Sequence, residues 1–139
     1  KETYVDLMSP IGAGRISVVY DYDGYVYISD EARMLAQNGD FTFRLGHISE
    51  GLPKLLSSKV NKNTQEKGIS TLHAACSNCV YRNACGSDPL FHHATQDDSY
   101  GNMAKSSFCN RNMDSLDYLI TILSSSYGTV GYEIMTSDW

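Results

Sequence analysis

The four cysteines of this chain limit its possible folds more strongly than any other feature. They are Cys76, Cys79, Cys85 and Cys109, in the pattern C-x2-C-x5-C-x23-C. The first three fall in one short loop, so their thiolates can converge on a single point, while the fourth must come from elsewhere in the fold. Four thiolates complete one four-coordinate metal centre with none left over. The sequence therefore predicts a metal-binding region over residues 76–109.

The spacing of the cysteines favours an iron–sulfur cluster. Zinc sites usually pair two C-x2-C knuckles, or one knuckle with histidines, whereas iron–sulfur clusters take four thiolates at more uneven spacings. A structural zinc site is the second interpretation. His73, His92 and His93 are further candidate zinc ligands, although we expect surface or hydrogen-bonded histidines there because four cysteines already complete a site.

Two disulfides, with three possible connectivities, are a third interpretation of the same cysteines. A C-x2-C pair with another cysteine close by is crowded for bridges and suits a metal. We therefore expect reduced thiols and a cytoplasmic protein.

The composition narrows the domain count and the partners. A chain of 139 residues with 42% hydrophobic content is one small domain, and a bound metal would support its modest core. The net charge of −5 argues against nucleic acid or an anionic membrane as the main partner. No apolar run approaches the roughly 18 residues that a membrane span needs. Because the chain begins in mid-pattern at Lys1, we expect a fragment of a longer protein.

The residue pattern predicts an α+β fold: an N-terminal β-hairpin, short helices, an irregular cysteine-rich metal loop and a C-terminal helix. Residues 16–29 are β-branched and aromatic around an Asp-Gly pair. That pair predicts a two-residue type I′ turn, which would pair Tyr20 with Tyr27 and Tyr22 with Tyr25.

Capping residues and apolar spacing predict the helices. Ser29 is expected to cap a helix over 31–37, and a further helix is predicted near 53–58 after a brief extended piece at 41–44, whereas 59–68 are ambiguous. The last helix is predicted from about 112 to 127, with Cys109 just before it. A helix N-terminus stabilises thiolate charge, which suits the fourth ligand.

The cysteine pattern resembles that of a SPASM domain, the C-terminal auxiliary-cluster domain of radical SAM enzymes that modify peptides and proteins. The family pattern is C-x(9–15)-G-x4-C, then C-x2-C-x5-C-x3-C, then a distant cysteine. Cys76, Cys79 and Cys85 match the C-x2-C-x5-C step, and Cys109 matches the distant cysteine. The resemblance implies a single SPASM-like C-terminal domain over residues 1–139.

Three cysteines of the family pattern are absent. Ser29 stands at the cysteine of the G-x4-C step, Pro89 stands at the x3-C position, and residues 8–14 contain no cysteine. In two-cluster members of the family, these three cysteines serve the first auxiliary cluster and the other four serve the second. All three cysteines of the first cluster are absent from this chain, and all four cysteines of the second cluster are present. The resemblance therefore implies one auxiliary [4Fe–4S] cluster, held by Cys76, Cys79, Cys85 and Cys109.

A narrower resemblance is to the radical SAM maturases of His-Xaa-Ser peptide systems, with sulfatase-maturase-like proteins as a neighbouring possibility. It is carried by the stretches GAGR, YDYDGYVYISDEARMLAQNGD, FRLGHI and CSNCVYRNACGSDP. The resemblance implies an upstream radical SAM barrel in the same protein, which binds S-adenosylmethionine and starts radical chemistry on a peptide or protein substrate.

The barrel's C-x3-C-x2-C motif is absent from this chain, so we expect no catalysis by the domain alone. Its own role is open between electron relay, substrate docking and structural support. In the docking role, the edge of the hairpin would add a strand to the peptide. A zinc-stabilised interaction domain without a redox role is the alternative function.

Overall fold

A computed structural model describes residues 12–127, which form a three-stranded antiparallel sheet and five α-helices. The predicted α+β class is confirmed. The strands are β1 (Val19–Tyr20), β2 (Tyr25–Tyr27) and β3 (Arg44–His47), and the helices are α1 (Asp30–Gln37), α2 (Leu52–Leu56), α3 (Lys59–Gly68), α4 (Pro89–Gln96) and α5 (Ser107–Ser125). The predicted domain over 1–139 also includes terminal segments that lie outside the described residues.

The β1–β2 hairpin forms, but the predicted turn type and register were wrong. Gly24 N donates to Asp21 O at 3.0 Å and Asp21 N donates to Tyr25 O at 2.9 Å, which closes a three-residue loop. Gly24 has φ +84°, whereas Asp23 keeps a negative φ. The loop is therefore a type I turn followed by a left-handed glycine, which needs one positive φ where a type I′ turn needs two.

The longer loop slips the strand pairing by one residue from the prediction. Tyr20 lies opposite Val26 rather than Tyr27, and Val19 lies opposite Tyr27. Strand β2 is the central strand, so both of its edges are hydrogen-bonded to a neighbouring strand. Val26 and Tyr27 are both buried although they point to opposite faces of the sheet, so other residues pack on both faces at β2.

The main core packs around this sheet. It contains Ala13, Val26, Tyr27, Ile28, Ala32, Phe43, Leu45, Leu55 and Leu90. Ser29 caps α1 as predicted, since its hydroxyl accepts a hydrogen bond from Ala32 N at 3.3 Å. Helices α1, α2 and α4 each contribute one residue to the core, namely Ala32, Leu55 and Leu90.

The segment that contains GAGR packs closely against α3. Gly14 adopts φ +66°, and a Cβ atom at this position would lie 1.7 Å from Asn61 Oδ1. Asn61 Nδ2 donates to Gly14 O at 3.0 Å and to Leu56 O at 2.7 Å. The ambiguous segment 59–68 is thus a helix, begun by the Ser58 cap and fixed by this buried amide.

Two predicted element boundaries in the middle of the chain differ from the structure. The extended piece expected at 41–44 is a turn, because Thr42 N donates to Asp40 Oδ1 and Arg44 N donates to Phe41 O. The strand follows this turn as β3. The helix expected near 53–58 is α2, which begins one residue earlier and ends two residues earlier.

Candidate metal centre

The cysteine loop is a series of tight turns rather than a regular element. It begins with a 3-10 turn, Ala74–Cys76. Cys79 N then donates to Cys76 O at 3.1 Å, and Arg82 N donates to Cys79 O at 3.3 Å. The Arg82 guanidinium closes back on the loop by donating to Ser77 O at 2.6 Å. These bonds keep the loop compact and confirm the predicted irregular conformation.

Cys109 lies in the first turn of α5, not before the helix as predicted. The helix begins at Ser107, about five residues earlier than expected, because the hydroxyl of Ser106 caps it by accepting from Cys109 N at 3.2 Å. Cys109 is still at the N-terminus of a helix, as the prediction required. The partial positive charge of a helix N-terminus favours a thiolate in the first turn.

The structure has all four cysteines as free, half-buried thiols, so the disulfide interpretation is not the arrangement observed. Burial raises the pKa of Cys76, and the charges of Cys109, Cys79 and Cys85 raise it further. Burial likewise raises the pKa of Cys109, with added effects of Cys85 and Cys79. The helix that carries Cys109 lies beside the loop, because Asn112 of the same helix contacts Cys85 Sγ at 3.6 Å.

These thiols suit a metal centre in their chemistry. Four soft sulfur donors match zinc or an iron–sulfur cluster. Burial, and after it the charges of the other thiols, raise the pKa of Cys76, and a bound cation would displace the proton and offset the thiolate charge. Within residues 12–127, no group of three or more His, Cys, Asp or Glu side chains is arranged to hold a single metal ion.

Asn112 lies beside the cysteines and was not among the residues that the sequence predicted for the candidate centre. Its side-chain Nδ2 donates to Cys85 Sγ at 3.6 Å. It follows Cys109 by three residues on α5, so both side chains lie on one face of the helix. The i,i+3 spacing from Cys109 was the signal in the sequence that could have indicated Asn112. The contact with Cys85 depends on the tertiary structure, which brings the cysteine loop to this face of α5.

A second contact joins the cysteine loop to α5. The Tyr81 hydroxyl donates a short hydrogen bond to the Asp117 carboxylate. This bond raises the pKa of Tyr81, because the hydroxyl loses a stabilising contact when it is deprotonated. The loop and the N-terminal half of α5 are therefore connected through both Asn112 and Tyr81.

The three histidines have hydrogen-bond partners within the protein, as expected. His73 Nε2 donates to Lys67 O at 2.7 Å, and His93 Nε2 lies 2.6 Å from Asp40 Oδ2. His92 is fully buried, and its Nε2 lies 2.7 Å from the Oγ of Ser106, the residue that caps α5. Burial lowers the pKa of His92, and its contact with Ser106 supports the start of the helix that carries Cys109.

Comparisons of the chain with protein-family models, with curated proteins and with solved structures found no match. In the part of the chain that the structure describes, no helix has the length and apolar character to cross a membrane. The likeness to SPASM domains therefore stays a prediction that rests on the residues themselves.

Proposed function

We propose that this chain is an auxiliary [4Fe–4S] cluster-binding domain of a radical SAM enzyme that modifies a peptide or protein. The observation that carries the metal-binding part is geometric: Asn112, three residues after Cys109 on α5, donates to Cys85 Sγ at 3.6 Å, so the helix with the fourth cysteine packs against the cysteine loop. The cysteine pattern carries the assignment of the cluster and of the parent enzyme class.

In this proposal, Cys76, Cys79 and Cys85 are the loop ligands and Cys109 is the ligand from α5. A bound [4Fe–4S] cluster would supply one-electron transfer. Asn112 donates to the Cys85 sulfur and would stabilise its negative charge. The free thiols suit a reducing compartment, so we assign the domain to the cytoplasm. The upstream barrel would supply the S-adenosylmethionine chemistry and act on the peptide.

The test is metal and sulfide analysis after anaerobic reconstitution with iron and sulfide. We expect about four iron and four sulfide per chain, with the broad visible absorption of a [4Fe–4S] cluster. Cys109→Ala should lose or degrade the cluster, because a ligand is removed. Asn110→Ala is the matched control, since Asn110 is exposed and lies next to Cys109 on α5.

The opposite results have defined meanings. One tightly held zinc per chain and no capacity for iron would replace the redox role with a structural zinc domain. Equal iron in wild type and Cys109→Ala would remove Cys109 from the ligand set. Equal loss in Asn110→Ala would show that the change acts through the helix rather than through the thiolate.

A further inference from the structure

An open groove separates α1 from α4 on a surface next to the cysteine loop. It has a volume of about 330 Å³, and Met34, Phe91 and Ala94 contribute to its apolar wall. Met34 is 53% exposed, so the groove opens to solvent. Its volume is at the lower end of the ~300–1,000 Å³ typical of ligand pockets. A groove of this size takes one or two side chains of a larger partner.

Acidic groups accompany the apolar wall. Glu31 and Asp88 both line the groove, and no basic side chain does so among the described residues. Asp88 caps α4 by accepting from Leu90 N at 3.1 Å and Phe91 N at 3.0 Å, which fixes its carboxylate in place. Burial is the main cause that raises the pKa of Asp88, and repulsion from the Glu31 carboxylate raises it further. A cation between them would relieve that repulsion.

The groove is also close to the candidate metal centre. The ring of Phe91 lies 5.9 Å from that of Phe108, and Phe108 directly precedes Cys109. A partner in the groove would therefore lie one layer of side chains from the start of α5. A second copy of this chain is a poor fit by charge, because each copy carries a net charge of −5.

We propose that the α1–α4 groove binds a peptide segment that presents an apolar side chain next to lysine or arginine. The apolar side chain fills the space beside Met34 and Phe91, and the basic group lies against Glu31 and Asp88. That this peptide is the substrate of the parent enzyme rests on the proposed function, but the binding itself needs no cluster.

The experiment uses fluorescein-labelled synthetic peptides and fluorescence anisotropy at low ionic strength. The first peptide contains Leu-Leu-Lys-Lys between Gly-Ser flanks, the second Leu-Leu-Glu-Glu and the third Ser-Ser-Lys-Lys. The protein is the full 139-residue chain, measured metal-free and after reconstitution. We expect the first peptide to bind at least about tenfold more tightly than either of the others, because each lacks one of the two complementary features.

The variants test the location of binding. Met34→Lys places a positive charge on the apolar wall, which opposes both the apolar side chain and the basic group, and should weaken the first peptide at least about tenfold. Glu31→Gln should weaken it about two- to fivefold, as expected for one partly exposed charge pair. Ile48→Lys is the matched control, since Ile48 is 52% exposed and outside the groove. Circular dichroism and iron content of each variant should match wild type.

Four results would overturn the proposal. These are no binding of the first peptide, equal binding of the acidic peptide, equal weakening by Ile48→Lys, and a wild-type dimer that Met34→Lys converts to monomer. The last result would assign the groove to a second copy of the chain. If the chain binds the peptide but takes up no iron, the peptide-binding proposal stands and the cluster proposal fails. The two proposals can therefore fail separately.

Discussion

Asn112 contacts the sulfur of Cys85, one of the four cysteines that we propose as cluster ligands. Its Nδ2 donates to Cys85 Sγ at 3.6 Å. A hydrogen bond to a cluster sulfur stabilises the more negative, reduced state, so its loss lowers the reduction potential. For Asn112→Leu we expect a decrease of roughly 40 mV, which corresponds to one hydrogen bond of about 1 kcal/mol in a one-electron couple.

The measurement is a redox titration of the reconstituted protein, followed by electron paramagnetic resonance. Asn110→Leu is the control, because Asn110 is exposed on the same helix. An unchanged potential in Asn112→Leu would remove the amide from the cluster's environment.

Asp40 is the residue for which the structure gives a defined pH dependence. Hydrogen bonds from the hydroxyl and backbone N–H of Thr42, with a smaller contribution from His93, lower the pKa of Asp40 to about 2. Because the folded-state pKa is below the unfolded value of 3.8, the stabilisation is fully present above pH 4. It is lost as the pH falls from about 4 to 2.

We therefore expect Asp40→Asn to lower the free energy of unfolding by about 1 kcal/mol at pH 7, since the side chain is 33% exposed and solvent screens the interaction. Urea denaturation at pH 7 and pH 2 measures the difference between the variant and wild type. A difference that stays constant between these pH values would contradict the assigned cause.

At the scale of elements, local signals predicted the starts of helices better than the pairing of strands. Ser29 precedes α1 with its capping hydroxyl, and that helix forms as expected. The Asp-Gly pair is compatible with two turn types, and the type that forms depends on Asp21, which closes the loop through its backbone. Only one of the two types places Val26 opposite Tyr20, and local sequence does not choose between them.

For α5 and the candidate site as well, local sequence signals were better predictors than contacts between distant residues. Apolar spacing predicted the helix from about 112, but its start depends on the Ser106 hydroxyl, which also contacts buried His92. The four cysteines were chosen as candidate ligands from their spacing, and that assignment stays a prediction. Asn112 and the Tyr81–Asp117 bond depend on how the loop packs against α5, and sequence separation hides such contacts.

The contact between the segment that contains GAGR and α3 leads to a prediction at the scale of elements. Both Gly14 and Gly39 have positive φ, but a Cβ atom at Gly39 would meet nothing within 4 Å, whereas at Gly14 it would overlap Asn61 Oδ1. We expect Gly39→Ala to cost about 1–2 kcal/mol from backbone strain alone. Gly14→Ala should cost about 3 kcal/mol or more, because it also displaces the buried Asn61 amide.

Chemical denaturation of both variants measures these costs. The paired design separates the strain of a positive φ, which the two sites share, from the contact with α3. Equal costs at the two positions would show that the junction with Asn61 contributes nothing to stability.

At the scale of the whole described chain, residues 12–127, the apolar core and the contacts around the cysteines hold different parts in place. The core surrounds the sheet and includes Leu90 of α4. In contrast, Phe108 is the one buried residue of α5 among those described, and Leu119 and Ile120 on that helix are 51% and 53% exposed. Contacts near the cysteines therefore hold the N-terminal half of α5 in place.

This division predicts a local effect of metal binding on backbone dynamics. A ligand that binds only the native site stabilises the elements that contribute its ligands. Reconstitution should slow amide exchange at least about tenfold in residues 74–90 and 106–117, which corresponds to about 1.4 kcal/mol. Strands β2 and β3 should exchange at the same rate with and without metal.

Hydrogen–deuterium exchange with mass spectrometry measures both regions in one experiment. Cys109→Ala treated in the same way is the control, since it lacks the α5 ligand but keeps the loop cysteines. In that variant we expect the added protection in 106–117 to disappear, because α5 no longer shares a bond with the loop. Protection that spreads evenly over the sheet as well would instead show that metal binding and the apolar core form one cooperative unit.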